Sequence, residues 1–322
     1  VDSVGIVFMA LVDVIIPVFN TPHRFLTVAL DSLRAQTLSD WKAWVINDGS
    51  DRQYTAELEE SLRAYGDPRI QYLYSDHKGP AGSRNVGIVE GRAPYVALLD
   101  SDDCWLPHHL SRQVALLEAN REIALVHGHC DVIDPAGQLV HSPPPKTGLN
   151  ALSNARLFAD MLRENFVSAS SVVLRRSALE QVGGFDASFP CLVDKELWLR
   201  LLNAGARFHY DPEIVFRYRV HPQNISKNTD LLLATRRRII QKAESLLKDA
   251  APLADIDWPT LKREMISHMY SEAADGYLAR GEYGRALKYS SPFYAGVSRR
   301  SCALFLRSLY RSLAGRGRPG KA

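Results

Sequence analysis

Tyr95-Val96-Ala97-Leu98-Leu99-Asp100-Ser101-Asp102-Asp103 sets a five-residue apolar run directly against three carboxylates within four positions. The run reads as a buried strand, since it is short and shows neither a helical period nor the two-residue alternation of a half-exposed sheet. The acids fall where that strand ends. Clustered carboxylates repel and raise one another's affinity for protons unless a cation sits among them, so the cluster asks for a metal.

Outward from this stretch, candidate strands at 12–18, 42–46, 70–74, 95–99 and 123–127 alternate with amphipathic stretches at 23–36, 54–65, 82–90 and 107–119. That β-α-β-α rhythm predicts an α/β fold with a parallel, doubly wound sheet. Asn20, Asn47-Asp48-Gly49-Ser50 and the acidic stretch each follow a predicted strand. In open α/β sheets ligands bind beyond the carboxyl ends of the strands, so three loops converge on one crevice. No GxGxxG and no GxxxxGK[ST] follows the first strand, which excludes the phosphate cradles of dinucleotide enzymes and P-loop NTPases. Carboxylates stand there instead. A carboxylate faces a diphosphate through a bridging divalent cation such as Mg²⁺ or Mn²⁺, which makes a nucleotide diphosphate the natural ligand.

At 322 residues, 46% hydrophobic and 23% charged, the chain is long enough to bury a sizeable core. Its net charge of +3 is uneven: from Ser226 onward there are 18 basic residues against 9 acidic ones, and 299–322 holds seven basic residues and no acid. Such a tail reads as a solvated end or a patch for anionic lipid, with nucleic acid ranked last. Cys104, Cys130, Cys191 and Cys302 form no CxxC pair, which favours reduced thiols and a cytoplasmic setting. Residues 4–19 are nearly all apolar but are interrupted by Asp13 and Pro17. The expectation is a strand rather than a membrane span or cleavable signal, with Met9 a candidate natural start.

Eight strings in order carry a family resemblance. They are Val12-Asp13-Val14-Ile15-Ile16-Pro17-Val18-Phe19-Asn20, Leu30-Asp31-Ser32-Leu33-Arg34-Ala35-Gln36-Thr37, Asn47-Asp48-Gly49-Ser50-Asp51, Gly79-Pro80-Ala81-Gly82-Ser83-Arg84-Asn85-Val86-Gly87-Ile88, Leu99-Asp100-Ser101-Asp102-Asp103, Gly183-Gly184-Phe185-Asp186, Asp194-Lys195-Glu196-Leu197-Trp198-Leu199-Arg200 and Tyr218-Arg219-Val220-His221. Over about two thirds of the chain the sequence resembles family 2 glycosyltransferases of the GT-A fold. The resemblance implies a nucleotide-sugar donor, commonly a UDP-sugar, and assigns donor binding to Pro17, Phe19, Asn20, Asp48, Arg84 and Asp100. Asp48 would accept a hydrogen bond from the base, suiting an ionised carboxylate's acceptor-only chemistry. Phe19 would stack on the base. Asp100 would reach the ribose, Asp102 would bind the Mn²⁺ or Mg²⁺ that neutralises the departing diphosphate, and His221 resembles a late residue closing on that metal. Arg84 would open a helix whose N-terminus faces a phosphate. Asp103 is the spare acid, expected to cap the turn before Trp105-Leu106-Pro107.

Transfer to a hydroxyl also needs a general base. Asp194 matches the aspartate of the family's Glu-Asp pair and is the candidate, although Val193 stands where the family has Glu. The reading is thus an inverting glycosyltransferase in cell-envelope polysaccharide or glycolipid synthesis, its acceptor a saccharide or lipid-linked saccharide chosen by loops such as 141–154. The alternative is a non-catalytic nucleotide-sugar-binding or scaffold protein. A sugar-phosphate nucleotidylyltransferase is disfavoured, because no glycine-rich signature follows the first strand. His127 and His129 share a strand face but lack further ligands nearby, so they read as structural, and His108-His109 as a helix start.

The organisation expected is a GT-A domain at 1–225 and a helical extension with a basic tail at 226–322. Within it, 231–247 reads as a basic, leucine-rich helix, and 265–289 as two helices joined at Arg280-Gly281-Glu282, resembling one tetratricopeptide-type hairpin. Residues 299–312, with Cys302, Phe305, Leu306 and Leu309 near helical spacing among arginines, read as an interfacial helix or a packed one. The tail makes peripheral contact with the inner face of the membrane an expectation.

Overall fold

The computed structural model describes residues 9–248, 253–291, 294, 303–308 and 310. Half of the stretch read as an interfacial helix, including Cys302, and the tail at 311–322 lie outside the described residues. The first half is a run of β-α units: β1 (Val12–Val18), α1 (His23–Arg34), β2 (Trp41–Asp48), α2 (Arg52–Tyr65), β3 (Ile70–Ser75), α3 (Gly79–Glu90) and β4 (Tyr95–Leu98). These strands are parallel, in the order β3-β2-β1-β4. β1 is buried along almost its whole length, which its valine and isoleucine run anticipates for a strand covered on both faces. Val12, Val14, Ile16 and Val18 enter the apolar cluster with α1, α2 and α4 (His109–Ala119), while Ile15 enters the cluster on the other face.

The second half departs from the parallel expectation. After β5 (Cys104–Trp105) and α4 come β6 (Ile123–Ile133), β7 (Leu139–His141), α5 (Asn154–Arg163), β8 (Val172–Arg175), α6 (Arg176–Val182), α7 (Val193–Asn203) and β9 (Arg207–Arg219). β8 inserts between β4 and β6 and runs antiparallel to both, β6 and β9 are parallel, and β5 closes the edge antiparallel to β9. The sheet is therefore mixed. β9 escaped the sequence reading because Asp211, Pro212 and four arginine or glutamate positions break its apolar pattern.

The second apolar cluster lies on the opposite face under α5 and α7. It continues without a break into α8 (Thr229–Leu247), α9 (Trp258–Ala279) and α10 (Tyr283–Ser290), through Leu233, Ile239, Ile240, Met265, Met269 and Tyr277. The α9–α10 junction falls at the predicted Arg280-Gly281-Glu282. No helix among the described residues is long and apolar enough to cross a membrane.

Two local features fix the two ends of β1. Ile15 O accepts from Leu99 N at 3.0 Å, so the Pro17 nitrogen two residues on points toward the same side, beyond the last β4 pairing of Ile15 with Leu98. A proline is tolerated there because no ladder partner remains, and the chain after β4 is free to turn away into the acidic loop. At the other end Asp13 is buried and accepts from Trp44 Nε1 at 2.9 Å, Ala93 N at 2.7 Å and Arg176 Nη2 at 2.6 Å. Gly91 must be glycine for this, since a Cβ there would lie 2.3 Å from Asp13 Oδ2.

Arg176 ties β8 to β1 through that pair and also donates to Ala93 O and Ile88 O. Removing one partner of a buried pair leaves an uncompensated charge, so Arg176→Ala is expected to lower unfolding free energy by about 3–5 kcal/mol in urea titration.

Candidate active site

The carboxyl ends of β1, β2 and β4 carry the expected polar loops into one crevice. Asp48 ends β2 and is buried, its Oδ1 accepting from Lys78 N at 2.8 Å and its Oδ2 lying 3.0 Å from His77 Nδ1. His77 Nδ1 is also 3.0 Å from Asp48 O. Two acceptors around one nitrogen place a proton on Nδ1. Burial pushes the Asp48 carboxyl up, opposed by the Lys78 N–H and by His77. The Phe19 ring is half exposed and lies 4.3 Å, centroid to centroid, from His77. His77 reaches this place because Gly49 has φ +69° and a Cβ there would stand 2.7 Å from His77 N.

Asn20 has φ +48° and ties the first loop to the second: its N–H donates to Ser50 Oγ at 3.0 Å and its Oδ1 accepts from Asp51 N at 3.1 Å. Thr21 and Ser101 hydroxyls, 2.7 Å apart, join the first loop to the third. These contacts hold the three loops as one surface.

In the acidic loop each carboxylate has a different environment. Asp100 pairs with Arg84, which is buried and packs 5.5 Å over the Phe185 ring. Burial pushes Asp100 up; Arg84 opposes this, and the Asp102 and Asp194 charges add to it. Asp102 Oδ2 lies 2.9 Å from His221 Nε2 and 3.4 Å from Asn224 Nδ2. Asp103 does not cap the following turn; α4 begins after His108, with no side-chain cap. It faces inward instead, fully buried, accepting from Ser170 Oγ at 2.6 Å and from Arg219 N at 2.8 Å. The reason is that β9 passes directly beside the loop, and its end at Arg219 presents a backbone N–H that needs an acceptor. Burial raises the Asp103 carboxyl well above the usual range, and Asp102 and Asp100 add to the shift.

Arg219 also turns inward. Its Nε donates to Asp102 O at 2.8 Å and its guanidinium stacks 4.7 Å over Phe25. His221, 5.1 Å from the same ring, is buried with Nδ1 lacking a hydrogen-bond partner.

Asp194 lies in the first turn of α7, where the helix dipole favours a negative charge. It is not the cap: that position is Leu192, a non-glycine residue held at φ +53°, which sets the helix entry. Asp194 Oδ2 accepts from Asn165 Nδ2 at 2.8 Å. Val193, where the family pattern has Glu, is buried in the core. The neighbouring Lys195 is buried, donates to Leu162 O at 2.9 Å and has its ammonium pushed down to about 8 by burial. The Asp194 charge contributes to the shift of Asp100, so the sheet loops and α7 share one electrostatic site.

His127 and His129 are structural. Both pack against Tyr210, burial drives His127 down to about 3, and His129 Nε2 lies 2.7 Å from Pro143 O.

Among the described residues no three His, Cys, Asp or Glu side chains are arranged to hold an ion. Asp102 and His221 are nevertheless a carboxylate and an imidazole already in contact, and the unpartnered His221 Nδ1 marks a ring whose hydrogen bonding is incomplete. This donor set fits Mn²⁺ or Mg²⁺ completed by oxygens of a bound diphosphate and water.

The model of the family described as glycosyl transferase family 2 matches residues 13–183, just over half of the chain. The chain belongs to glycosyl transferase family 2. An uncharacterized glycosyltransferase of Rickettsia felis is 27% identical over 222 residues, 69% of this chain and 36% of that protein. The chain thus spans about a third of the length of that relative and of similar ones from Rickettsia conorii and Rickettsia bellii. The Escherichia coli protein WfaP, named a UDP-Glc:alpha-D-GlcNAc-diphosphoundecaprenol beta-1,3-glucosyltransferase, is 27% identical over 224 residues, 68% of this chain and 81% of that one. Among solved structures, S. aureus TarS 1-349 in complex with UDP-GlcNAc superposes with a TM-score of 0.61 at 15% identity, covering 94% of this chain and 88% of that one. The mannosyltransferase PcManGT from Pyrobaculum calidifontis, in complex with GDP-Man and Mn²⁺, gives 0.58 at 16%, covering 96% and 87%. The shared fold is that of GT-A glycosyltransferases.

The sequence reading of this family 2 chain missed His77, Asn165, Ser170 and Asn224. His77 sits two residues before the quoted Gly79-Pro80 string and Asn224 three after His221, so proximity to motifs was a usable signal; Asn165 and Ser170 carry none.

A carboxyl raised in the folded state costs stability once the unfolded chain would be ionised, and that cost lifts as pH falls toward the raised value. Between pH 7 and 5, in EDTA, Asp103→Asn is expected to lose this gain. Its Tm should rise less on acidification than the wild type's; an unchanged slope would count against the buried, raised Asp103.

Proposed function

We propose that this chain is a metal-assisted, inverting glycosyltransferase that moves a sugar from a nucleotide diphosphate donor, of UDP type, to an acceptor hydroxyl. The reading is supported by Asp48, Phe19 and Asp102 standing at the carboxyl ends of the parallel strands, Asp102 in contact with His221, with the Asp194 charge acting on neighbouring Asp100. The base stacks on Phe19 and meets the Asp48 carboxylate. Asp100, held by Arg84, takes the ribose hydroxyls, and Asp102 with His221 holds the cation. A bound Mn²⁺ or Mg²⁺ supplies positive charge to the departing diphosphate.

Asp194 accepts the proton of the incoming hydroxyl as its oxygen bonds to the anomeric carbon, and the bond to the donor phosphate breaks with its electron pair leaving on the diphosphate. One displacement inverts the anomeric centre. Asp194 sits on a helix, so the base is held by a rigid element. A lipid-linked saccharide is the acceptor class we favour, because WfaP is named for one and the segment from Ser226 onward is basic. We assign 226–322 to an accessory helical unit and place the protein at the cytoplasmic face of the membrane, in envelope polysaccharide or glycolipid synthesis.

The rival, a nucleotide-sugar binder without turnover, draws on the apolar Val193. Nucleotide release separates the two. With Mn²⁺ and a panel of UDP-glucose, UDP-N-acetylglucosamine and GDP-mannose, the wild type should release nucleotide from at least one donor. Asp194→Asn should lower that rate about 10²–10⁴-fold while keeping the Tm increase given by UDP with Mn²⁺. Asp102→Ala should lose the metal-dependent part of that increase. Full turnover by Asp194→Asn, or turnover unaffected by EDTA, would overturn the assignment.

A further inference from the structure

We propose that Asn165 is the positioning residue for Asp194, replacing from a separate segment the support that an acid at position 193 would give. This rests on Asp194 being the general base. Asn165 Nδ2 donates to Asp194 Oδ2 at 2.8 Å, and among the described residues this is the side-chain hydrogen bond that the carboxylate receives. The amide is oriented by its partner, since turning it over would set oxygen against oxygen.

The other half of that amide shows what it is there for. Asn165 Oδ1 is buried without a hydrogen-bond partner. An apolar residue of similar size would avoid that cost, so core packing alone does not explain an asparagine. Val193, by contrast, is buried in the apolar core and offers Asp194 nothing polar.

The segment that carries Asn165 is pinned on both sides. Lys195 and Trp198, from the helix that bears Asp194, donate to Leu162 O at 2.9 Å and Val167 O at 3.0 Å. Five residues on, Ser170 accepts from Asp100 N at 3.1 Å and donates to Asp103, and its carbonyl accepts from Trp105 Nε1 at 2.7 Å. One short stretch therefore fixes the base against the acidic loop, and Asn165 is its contact with the base. The charged and titratable groups that act with Asp194 are Asp100 from the loop, Cys191 before α7 and Lys195 on it.

The test measures release of UDP or GDP from the donor turned over in the panel above, across pH, for three Asn165 variants and for Asp194→Asn. Asn165→Leu should lose at least tenfold in kcat with donor KM within about twofold, and the acid limb of its kcat profile should move to higher pH by on the order of one unit, because a lost N–H donor disfavours the ionised base. Asn165→His, which can present a ring N–H at similar reach, should recover most of the rate and the profile. If Asn165→Leu does not fold, the isosteric Asn165→Asp carries the test: a second carboxylate facing the base should give the same shift of the acid limb. Wild-type kcat and an unmoved acid limb in the folded variants would overturn the positioning role while leaving the base in place, provided Asp194→Asn is inactive. Loss of Tm with no rescue by histidine would reduce Asn165 to a structural residue. An active Asp194→Asn would remove the base assignment itself, and a wild type that turns over no donor would remove the enzyme reading beneath both.

Discussion

Asp103 accepts the Ser170 hydroxyl at 2.6 Å and the Arg219 N–H at 2.8 Å from a fully buried position. Those two bonds join the loop after β4 to the turn before β8 and to the end of β9, three segments far apart in sequence. The place of His221 beside Asp102 depends on where β9 ends. The place of Asn165 beside Asp194 depends on the segment anchored by Ser170. A carboxylate is suited to this junction because it accepts at both oxygens and forces its partners to be donors.

The same arrangement has an electrostatic cost that shapes the site. Asp100, Asp102 and Asp103 are gathered within one turn, and burial pushes Asp100 and Asp103 up. Arg84 offsets the charge on one flank. The Asp102 carboxylate faces an imidazole rather than an arginine. The loop thus concentrates negative charge, with Arg84 on Asp100 and Arg219 on the Asp102 carbonyl, and the Asp102 carboxylate itself is left to His221 and Asn224. Asp194, whose charge also reaches Asp100, stands in the first turn of α7 and accepts from the neutral amide of Asn165.

How much of this was legible follows from where the information sits. The parallel half was readable because each strand is a local apolar run closed by a polar loop, and Asp48, Asp100 and Asp102 stand directly at strand ends. The inward turn of Asp103 was not, because it answers a backbone N–H 116 residues away. β8 and β9 failed for related reasons: one is four residues long, and the other carries Asp211 and Pro212 mid-strand. Asp194 could be found from its motif, whereas its hydrogen-bond partner could not, since nothing around Asn165 in sequence distinguishes it from any loop asparagine. Side chains that act on a ligand lie in local patterns; those that hold them come from distant segments.

The central claim is a division of labour, with the acidic loop holding the leaving group and Asp194 facing the incoming hydroxyl. A crystal structure with Mn²⁺ and an unhydrolysed donor analogue, phased to show the manganese anomalous peak, tests it most directly. The account predicts a peak bonded to Asp102 and to both donor phosphates, with the base on Phe19 and the Asp194 carboxylate on the face of the anomeric carbon opposite the diphosphate. A peak away from Asp102, or a donor whose anomeric carbon turns that face from Asp194, would contradict it.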